Sequence, residues 1–187
     1  MEVKKQAELN ENVERIMITA EQISARVKAL AAQLDKLYEG RTPVVVCILK
    51  GSVMFFADLI REMKTPLQID FMAVSSYGKD TISSGKLQVK KDLTVNISGK
   101  DVLIVEDIID SGNTLYQLKK MLNTRSPNSV NIVTLLDKPE RREVPMEPEY
   151  KGFVIEDEFV VGYGLDYAEE YRNLPYVGVL KRSVYEK

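Results

Sequence analysis

The chain has 187 residues, 44% of them hydrophobic and 29% charged, with a formal net charge of −2. That length suits one domain with a substantial core, and the slightly acidic balance argues against a large nucleic-acid footprint, which needs a basic face. A single cysteine excludes an internal disulfide and a cysteine metal cluster, the lack of any histidine removes the usual general base and transition-metal ligand, and no apolar run approaches the ~20 residues that span a bilayer.

Met1-Glu2-Val3-Lys4-Lys5 leads into polar sequence rather than a secretory signal, so a cytoplasmic location is expected. Cys47 lies in an apolar run and reads as buried filler. The pairs Lys4-Lys5, Lys90-Lys91 and Arg141-Arg142 read as solvated surface. Acid–base chemistry falls to Asp, Glu, Lys or Tyr.

In chain order, the first clear element is a helix over 19–38. Thr19 and Gln22 form a capping box, and Ile16, Ala20, Ile23, Val27, Leu30, Leu34 and Leu37 make one apolar stripe before Gly40 ends it. The β-branched run 43–49 predicts a strand buried on both faces, as in parallel sheets. A helix follows over 53–63 with Phe56, Leu59, Ile60 and Met63 inward, then a strand over 68–77. The polar stretch 78–92 fits either a mobile lid or a plain β-hairpin protrusion. Strands over 101–107 and 129–137 flank a helix over 113–124, with Leu115, Leu118 and Leu122 on one face. A proline-rich connection (138–150), one or two short strands within 152–167 and a last strand over 176–181 complete the chain. This order predicts an α/β fold with a mainly parallel sheet and a single domain, 1–187.

In open α/β sheets, ligands sit beyond the carboxyl ends of the strands. Lys50-Gly51, the run Glu106 to Thr114, and Lys138 each follow a predicted strand. Asp110-Ser111-Gly112-Asn113-Thr114 opens a helix, and its successive N–H groups could cradle a phosphate. An N-capped turn uses the same residue types. Glu106, Asp107 and Asp110 put negative charge beside this anion site. Carboxylates are acceptors, so a ligand with hydroxyls next to its phosphate resolves the conflict: a ribose 5-phosphate, with Mg²⁺ offsetting the remaining repulsion. No G-x-x-x-x-G-K-[ST] motif exists, and Gly162-x-Gly164 lacks the third glycine of a dinucleotide fingerprint.

A hydrophobic strand, two acidic residues, two aliphatics and Asp-Ser-Gly-Asn-Thr resemble the phosphoribosyl pyrophosphate motif of the type I phosphoribosyltransferases. "LKGSVMFFADL", "DFMAVSSYG", "LLDKPERR" and "EFVVGYGLDYAEEYRNLPYVG" resemble its bacterial hypoxanthine-guanine branch, so the likeness covers nearly the whole chain. It implies a type I phosphoribosyltransferase fold: a mainly parallel central sheet flanked by helices, a lid over about 77–92 beginning at Ser76 and Tyr77, and a small hood from the N-terminal segment and about 138–175.

The resemblance also implies roles. Glu106 and Asp107 would hold the ribose hydroxyls, and Asp110, Ser111, Gly112, Asn113 and Thr114 the 5′-phosphate. Lys50 and Gly51, through a non-proline cis peptide, and Arg172 would meet pyrophosphate. Lys138 would donate to the purine 6-oxo group, Phe159 would stack on the base, and Val160 would touch its edge, with Asp166 nearby. Glu106, Asp107 and, through water, Asp166 would support Mg²⁺, and Asp110 would handle the purine N7 proton. Read without the family, Lys138 is an ordinary loop lysine, Phe159 is core, and Asp166 with Arg172 is a surface ion pair.

The implied activity is Mg²⁺-dependent purine salvage from phosphoribosyl pyrophosphate and a 6-oxopurine, with no nucleic-acid or membrane partner. The implied assembly is a homodimer or homotetramer, with "LKGSVMFF" near the contact. Rival readings are a xanthine or uracil preference, an RNA-binding regulator of pyrimidine genes, and a non-catalytic sensor of phosphoribosyl pyrophosphate.

Overall fold

The computed structural model describes residues 6–76 and 87–186. Tyr77 and most of the expected lid lie outside the described residues.

The central sheet has six strands. They are β2 (Val44–Leu49), β3 (Gln68–Ser76), β4 (Leu87–Lys91), β5 (Asp101–Ile109), β6 (Ser129–Asp137) and β7 (Tyr150–Val154). Their spatial order is β4-β3-β2-β5-β6-β7, with β4 antiparallel at one edge and the rest parallel. Within 78–92, Leu87–Lys91 pairs antiparallel with β3. The chain runs from β2 outward to β3, then returns to place β5 on the other side of β2. The strand order therefore reverses between β2 and β5, the switch point where doubly wound sheets leave a crevice.

Alternation along β2 explains why the run 43–49 is apolar throughout. Val45 and Cys47 face one core, with Leu103 and Val105 of β5. That core is covered by α2 (Ala20–Leu37) and α3 (Val53–Glu62), through Ile23, Val27, Leu30, Leu34, Phe55, Phe56 and Leu59. Val44 and Val46 face the opposite core, with Val102 and Ile104, under Leu115, Leu118 and Leu122 of α4 (Asn113–Asn123). Each such side chain contributes about 1.5–3 kcal/mol on burial, so the two-sided cover fixes strand register.

The Thr19–Gln22 capping box is present at the start of α2. The stripe, however, starts inside the helix. Ile16 belongs to β1 (Val13–Ile18) and is 52% exposed. β1 has mixed burial without the strict alternation that marks a strand, and it forms through pairing with a strand far along the chain. It joins β9 (Val177–Leu180) and β8 (Val160–Val161) in a small antiparallel sheet, with Ile18 opposite Val177 and Val160 opposite Val179. Short helices α1 (Gln6–Glu11) and α5 (Arg182–Tyr185), near the two ends of the chain, also escape the sequence pattern.

Candidate active site

A cleft of about 330 Å³ opens beyond the carboxyl ends of β2 and β5. It is lined by Lys50, Gly51, Glu106, Asp107, Asp110, Ser111, Gly112, Thr114, Asp166 and Arg172. These come from three separate segments, so the fold gathers most of the residues singled out in the sequence. Ile108 and Ile109 also line it, because β5 runs two residues past its predicted end.

Glu106 and Asp107 lie side by side in the cleft wall. Desolvation, then the neighbouring Asp107 carboxylate, pushes the Glu106 carboxyl well above the usual range. Asp107 is raised as well, first by desolvation, although Glu106 and the Ile108 N–H oppose the shift. Asp107 Oδ1 accepts that N–H at 2.8 Å.

Close backbone approach builds the β2 side. A Cβ at Gly51 would fall 1.6 Å from Asp107 Oδ2, and a Cβ at Gly164 would fall 1.9 Å from the Gly51 carbonyl oxygen. Gly162-x-Gly164 is therefore a packing turn against the Lys50–Gly51 loop. The Leu49–Lys50 peptide is cis. Arg172 Nη1 donates to the Gly164 carbonyl at 2.7 Å, and Arg172 Nη2 pairs with Asp166 Oδ1 at 2.8 Å. Ala168, Glu169 and Tyr171 take positive φ between them, which closes the turn that brings Asp166 and Arg172 together. Glu169 Oε2 bridges Lys50 Nζ at 3.0 Å and Arg172 Nη2 at 3.3 Å, a contact that sequence spacing did not reveal.

On the β5 side, Gly112 is the N-cap of α4 with φ 81°, and no side chain caps the helix. The Ser111 hydroxyl still accepts the Asn113 N–H at a long 3.4 Å, so the N-capped-turn reading keeps one weak contact. Among the described residues, the Ser111 and Gly112 N–H groups donate to no protein acceptor. The Asp110 and Ser111 carbonyls are both held from behind: Arg142 Nη1 donates to the first at 2.6 Å and the Glu143 N–H to the second at 3.0 Å. Asn113 does not line the cleft; its amide donates to Glu143 Oε2 at 2.5 Å.

Of the expected surface pair, Arg141 is exposed but Arg142 needs correction. The Arg142 side chain is only 10% exposed and pairs with fully buried Asp137. Arg141 Nε lies 2.5 Å from Asp110 Oδ1 as an ion pair, and its Nη1 reaches Asp157 Oδ2 at 3.0 Å. Proximity of both arginines to a strand end was the available signal, but Asp137 and Asp157 could not be matched to them by spacing.

Lys138, Phe159 and Val160 stand beside this cleft rather than in its lining. Lys138 is buried, so the loop-lysine reading falls. Its N–H donates to the Ile109 carbonyl at 2.9 Å, and its Nζ to the Glu158 carbonyl at 2.7 Å and Asp157 Oδ1 at 3.3 Å. Phe159 is 39% exposed, which removes the core reading, and its ring stacks on Tyr185 at 4.7 Å. Val160 is buried in β8. The chain Lys138–Asp157–Arg141–Asp110 joins this neighbourhood to the cleft. Ser76 ends β3, and Tyr77 lies outside the described residues.

The donor set is all oxygen, with a desolvated and undercompensated carboxylate pair, which suits a hard divalent cation. Among the described residues, no three carboxylate, cysteine or histidine groups converge on one metal position. A Mg²⁺ here would need waters and ligand oxygens to complete its shell. Among the described residues, no helix is long and apolar enough to cross a membrane.

Comparison with known proteins agrees with this geometry. Residues 17–168 match the phosphoribosyl transferase domain family. The hypoxanthine-guanine phosphoribosyltransferase of Bacillus subtilis is 49% identical over 178 residues, 95% of this chain and 99% of its own. The bifunctional protein TilS/HprT of Listeria innocua is 49% identical over 179 residues; the match takes in 96% of this chain but only 28% of that larger relative. A solved hypoxanthine phosphoribosyltransferase structure from Staphylococcus aureus superposes with a TM-score of 0.94 at 50% identity, covering 98% of this chain and 100% of that one. A strand-end cleft with a carboxylate pair beside a Gly112 loop, set in this fold and matched at this identity, makes the chain a member of the phosphoribosyltransferase family.

Proposed function

We propose that the enzyme transfers a 5-phosphoribosyl group from phosphoribosyl pyrophosphate to hypoxanthine, with guanine as a second base, releasing pyrophosphate and IMP or GMP. The observation that carries this reading is the paired arrangement in one cleft: the Glu106–Asp107 carboxylates beside the Ser111 and Gly112 amides. Acceptors for sugar hydroxyls thus adjoin donors for the sugar's phosphate. The named relatives act in the same class.

In this reading, Glu106 and Asp107 accept the 2′- and 3′-hydroxyls, and Asp110, Ser111, Gly112 and Thr114 receive the 5′-phosphate. Lys50, Gly51 and Arg172 receive pyrophosphate. Purine N9 attacks C1′ as the C1′–oxygen bond to pyrophosphate breaks, through an oxocarbenium-like transition state. Lys50 and Arg172 hold the charge that develops on the departing group, as preorganised electrostatics. Asp110 takes the N7 proton, the role left to a carboxylate in a chain without histidine. Lys138 donates to the 6-oxo group and disfavours adenine, whose amino group would leave a buried donor unpaired at about 1–3 kcal/mol. Phe159 stacks on the base, Val160 meets its edge by backbone, and Asp166 lies close by. A hood from the N-terminal segment and 138–175 excludes water.

Mg²⁺, when bound, supplies charge neutralisation at the pyrophosphate. Glu106, Asp107 and, through water, Asp166 would hold it, and Asp166 fits that indirect place because Arg172 and the Glu169 N–H already engage its carboxylate. A cytoplasmic location and a homodimer or homotetramer belong to the same reading. Exposed Met54 in "LKGSVMFF" favours a subunit contact there.

A spectrophotometric panel of hypoxanthine, guanine, xanthine, adenine and uracil, with and without Mg²⁺, tests this function. Turnover of hypoxanthine only with Mg²⁺, and little turnover of adenine, is expected. Adenine or uracil used as fast as hypoxanthine would refute the role of Lys138.

A further inference from the structure

Behind the phosphate loop lies a buried charge cluster. Arg142 Nη2 pairs with Asp137, which has no solvent exposure, and Lys151 Nζ reaches the second oxygen of Asp137 at 3.0 Å. The other terminal nitrogen of Arg142 donates to the Asp110 carbonyl at 2.6 Å. Its aliphatic stem runs under Gly112, where a Cβ would meet Arg142 Cδ at 2.9 Å and Val144 Cγ2 at 3.2 Å. The next residue, Glu143, donates its N–H to the Ser111 carbonyl.

Peptide geometry turns this support into a statement about the cleft. In a planar trans peptide, the C=O of one residue and the N–H of the next point in opposite directions. Fixing the Asp110 carbonyl toward Arg142 therefore aims the Ser111 N–H away from Arg142. Fixing the Ser111 carbonyl toward Glu143 does the same for the Gly112 N–H. Ser111 and Gly112 both line the cleft. An arginine fork suits the task because its rigid, planar donors can serve Asp137 and the Asp110 carbonyl together.

We propose that Arg142 is a positioning residue for the anion site: it fixes the Asp110–Ser111 peptide plane, while the Glu143 N–H fixes the next one, so that both N–H groups face the phosphoryl end of the ligand. This rests on the reading of Asp110, Ser111, Gly112 and Thr114 as the 5′-phosphate site. Arg142 touches no ligand itself. Asp137 and Lys151 act through it, Asp137 as its anchor and Lys151 as the second cation paired with Asp137.

The test uses calorimetric binding of ribose 5-phosphate and, separately, of pyrophosphate, to the wild-type protein and to Arg142→Lys. Lysine keeps a cation for Asp137 but has no fork. Ribose 5-phosphate should bind at least about tenfold more weakly, as expected for loss of a charge-assisted bond, while pyrophosphate changes less than about twofold. Equal weakening of both ligands, or of neither, overturns the proposal. If Arg142→Lys fails to fold, the double variant Arg142→Met with Asp137→Leu carries the same comparison, since removing both buried charges together is far better tolerated than removing one. In labelled wild-type protein, the Ser111 and Gly112 amide resonances should shift with ribose 5-phosphate. If they do not, the phosphate reading fails first, independently of the Arg142 variants.

Discussion

The two ends of β5 carry carboxylates in opposite conditions. At the amino end, Asp101 is buried, and burial alone would raise it. Hydrogen bonds from Ser129 at 2.6 Å and Asn128 at 2.8 Å, with Arg41 at 3.3 Å, outweigh that effect and hold it below the usual range. At the carboxyl end, Glu106 and Asp107 crowd each other in a desolvated wall, and both are raised. One strand thus has a satisfied end that stabilises the fold and an unsatisfied end suited to a ligand, as expected where perturbed carboxylates mark function.

The largest effect should come from the carboxylate proposed for acid–base work just beyond the unsatisfied end. Asp110→Asn should lower kcat by about 10²–10⁴-fold, with the melting temperature and the affinity for phosphoribosyl pyrophosphate little changed. Unchanged turnover in steady-state assays would remove Asp110 from the chemistry.

Next comes the pair itself. Glu106→Gln should weaken phosphoribosyl pyrophosphate by roughly 10–100-fold, the value of a charged hydrogen bond of about 1.5–3 kcal/mol, yet raise the melting temperature of the unliganded protein at pH 7. The sign follows from linkage. A carboxyl raised in the folded state costs stability above its unfolded value near ~4.3, and the cost disappears as pH falls. The advantage of the variant should therefore shrink toward pH 4, as read by calorimetric scans.

Asp101→Asn should do the reverse: lose about 1–3 kcal/mol, or ~2–4 °C per kcal/mol in a chain of this size, with kcat/KM unchanged. A carboxyl held low gives stability above its unfolded value near ~3.9 and loses it as pH falls through the folded value. The deficit should thus be widest at neutral pH and close in acid. If Asp101→Asn and Glu106→Gln shifted stability in the same direction at pH 7, the contrast between the ends would be broken.

The smallest effect belongs to Glu169→Gln. Its contacts to Lys50 and Arg172 are exposed, and such pairs are worth about 0–1 kcal/mol. The melting temperature should barely move.

The same contrast explains what was legible in the sequence. The buried run Val44–Leu49, the α2 capping box and the strand-to-loop passage through Glu106 and Gly112 are local patterns, and each was readable. The first strand, Val13–Ile18, was not, because its partner lies at Val177–Leu180 and long-range pairing leaves little local trace. Ile16 was drawn into the helical stripe by spacing alone. Arg142 read as surface because two adjacent arginines usually are; only β6 and the following turn bring it onto buried Asp137. The cleft residues were found as motifs, whereas the pairing of Glu169 with Lys50 and Arg172, and of Asp157 and Asp137 with the arginines behind the loop, could not be read from spacing.

The most direct measurement is a crystal structure with IMP bound. The account predicts the 5′-phosphate on the amides of Ser111 and Gly112, and the ribose hydroxyls within hydrogen-bond distance of Glu106 and Asp107. A nucleotide seated away from that turn, with Glu106 and Asp107 contacting no ribose oxygen, would contradict it.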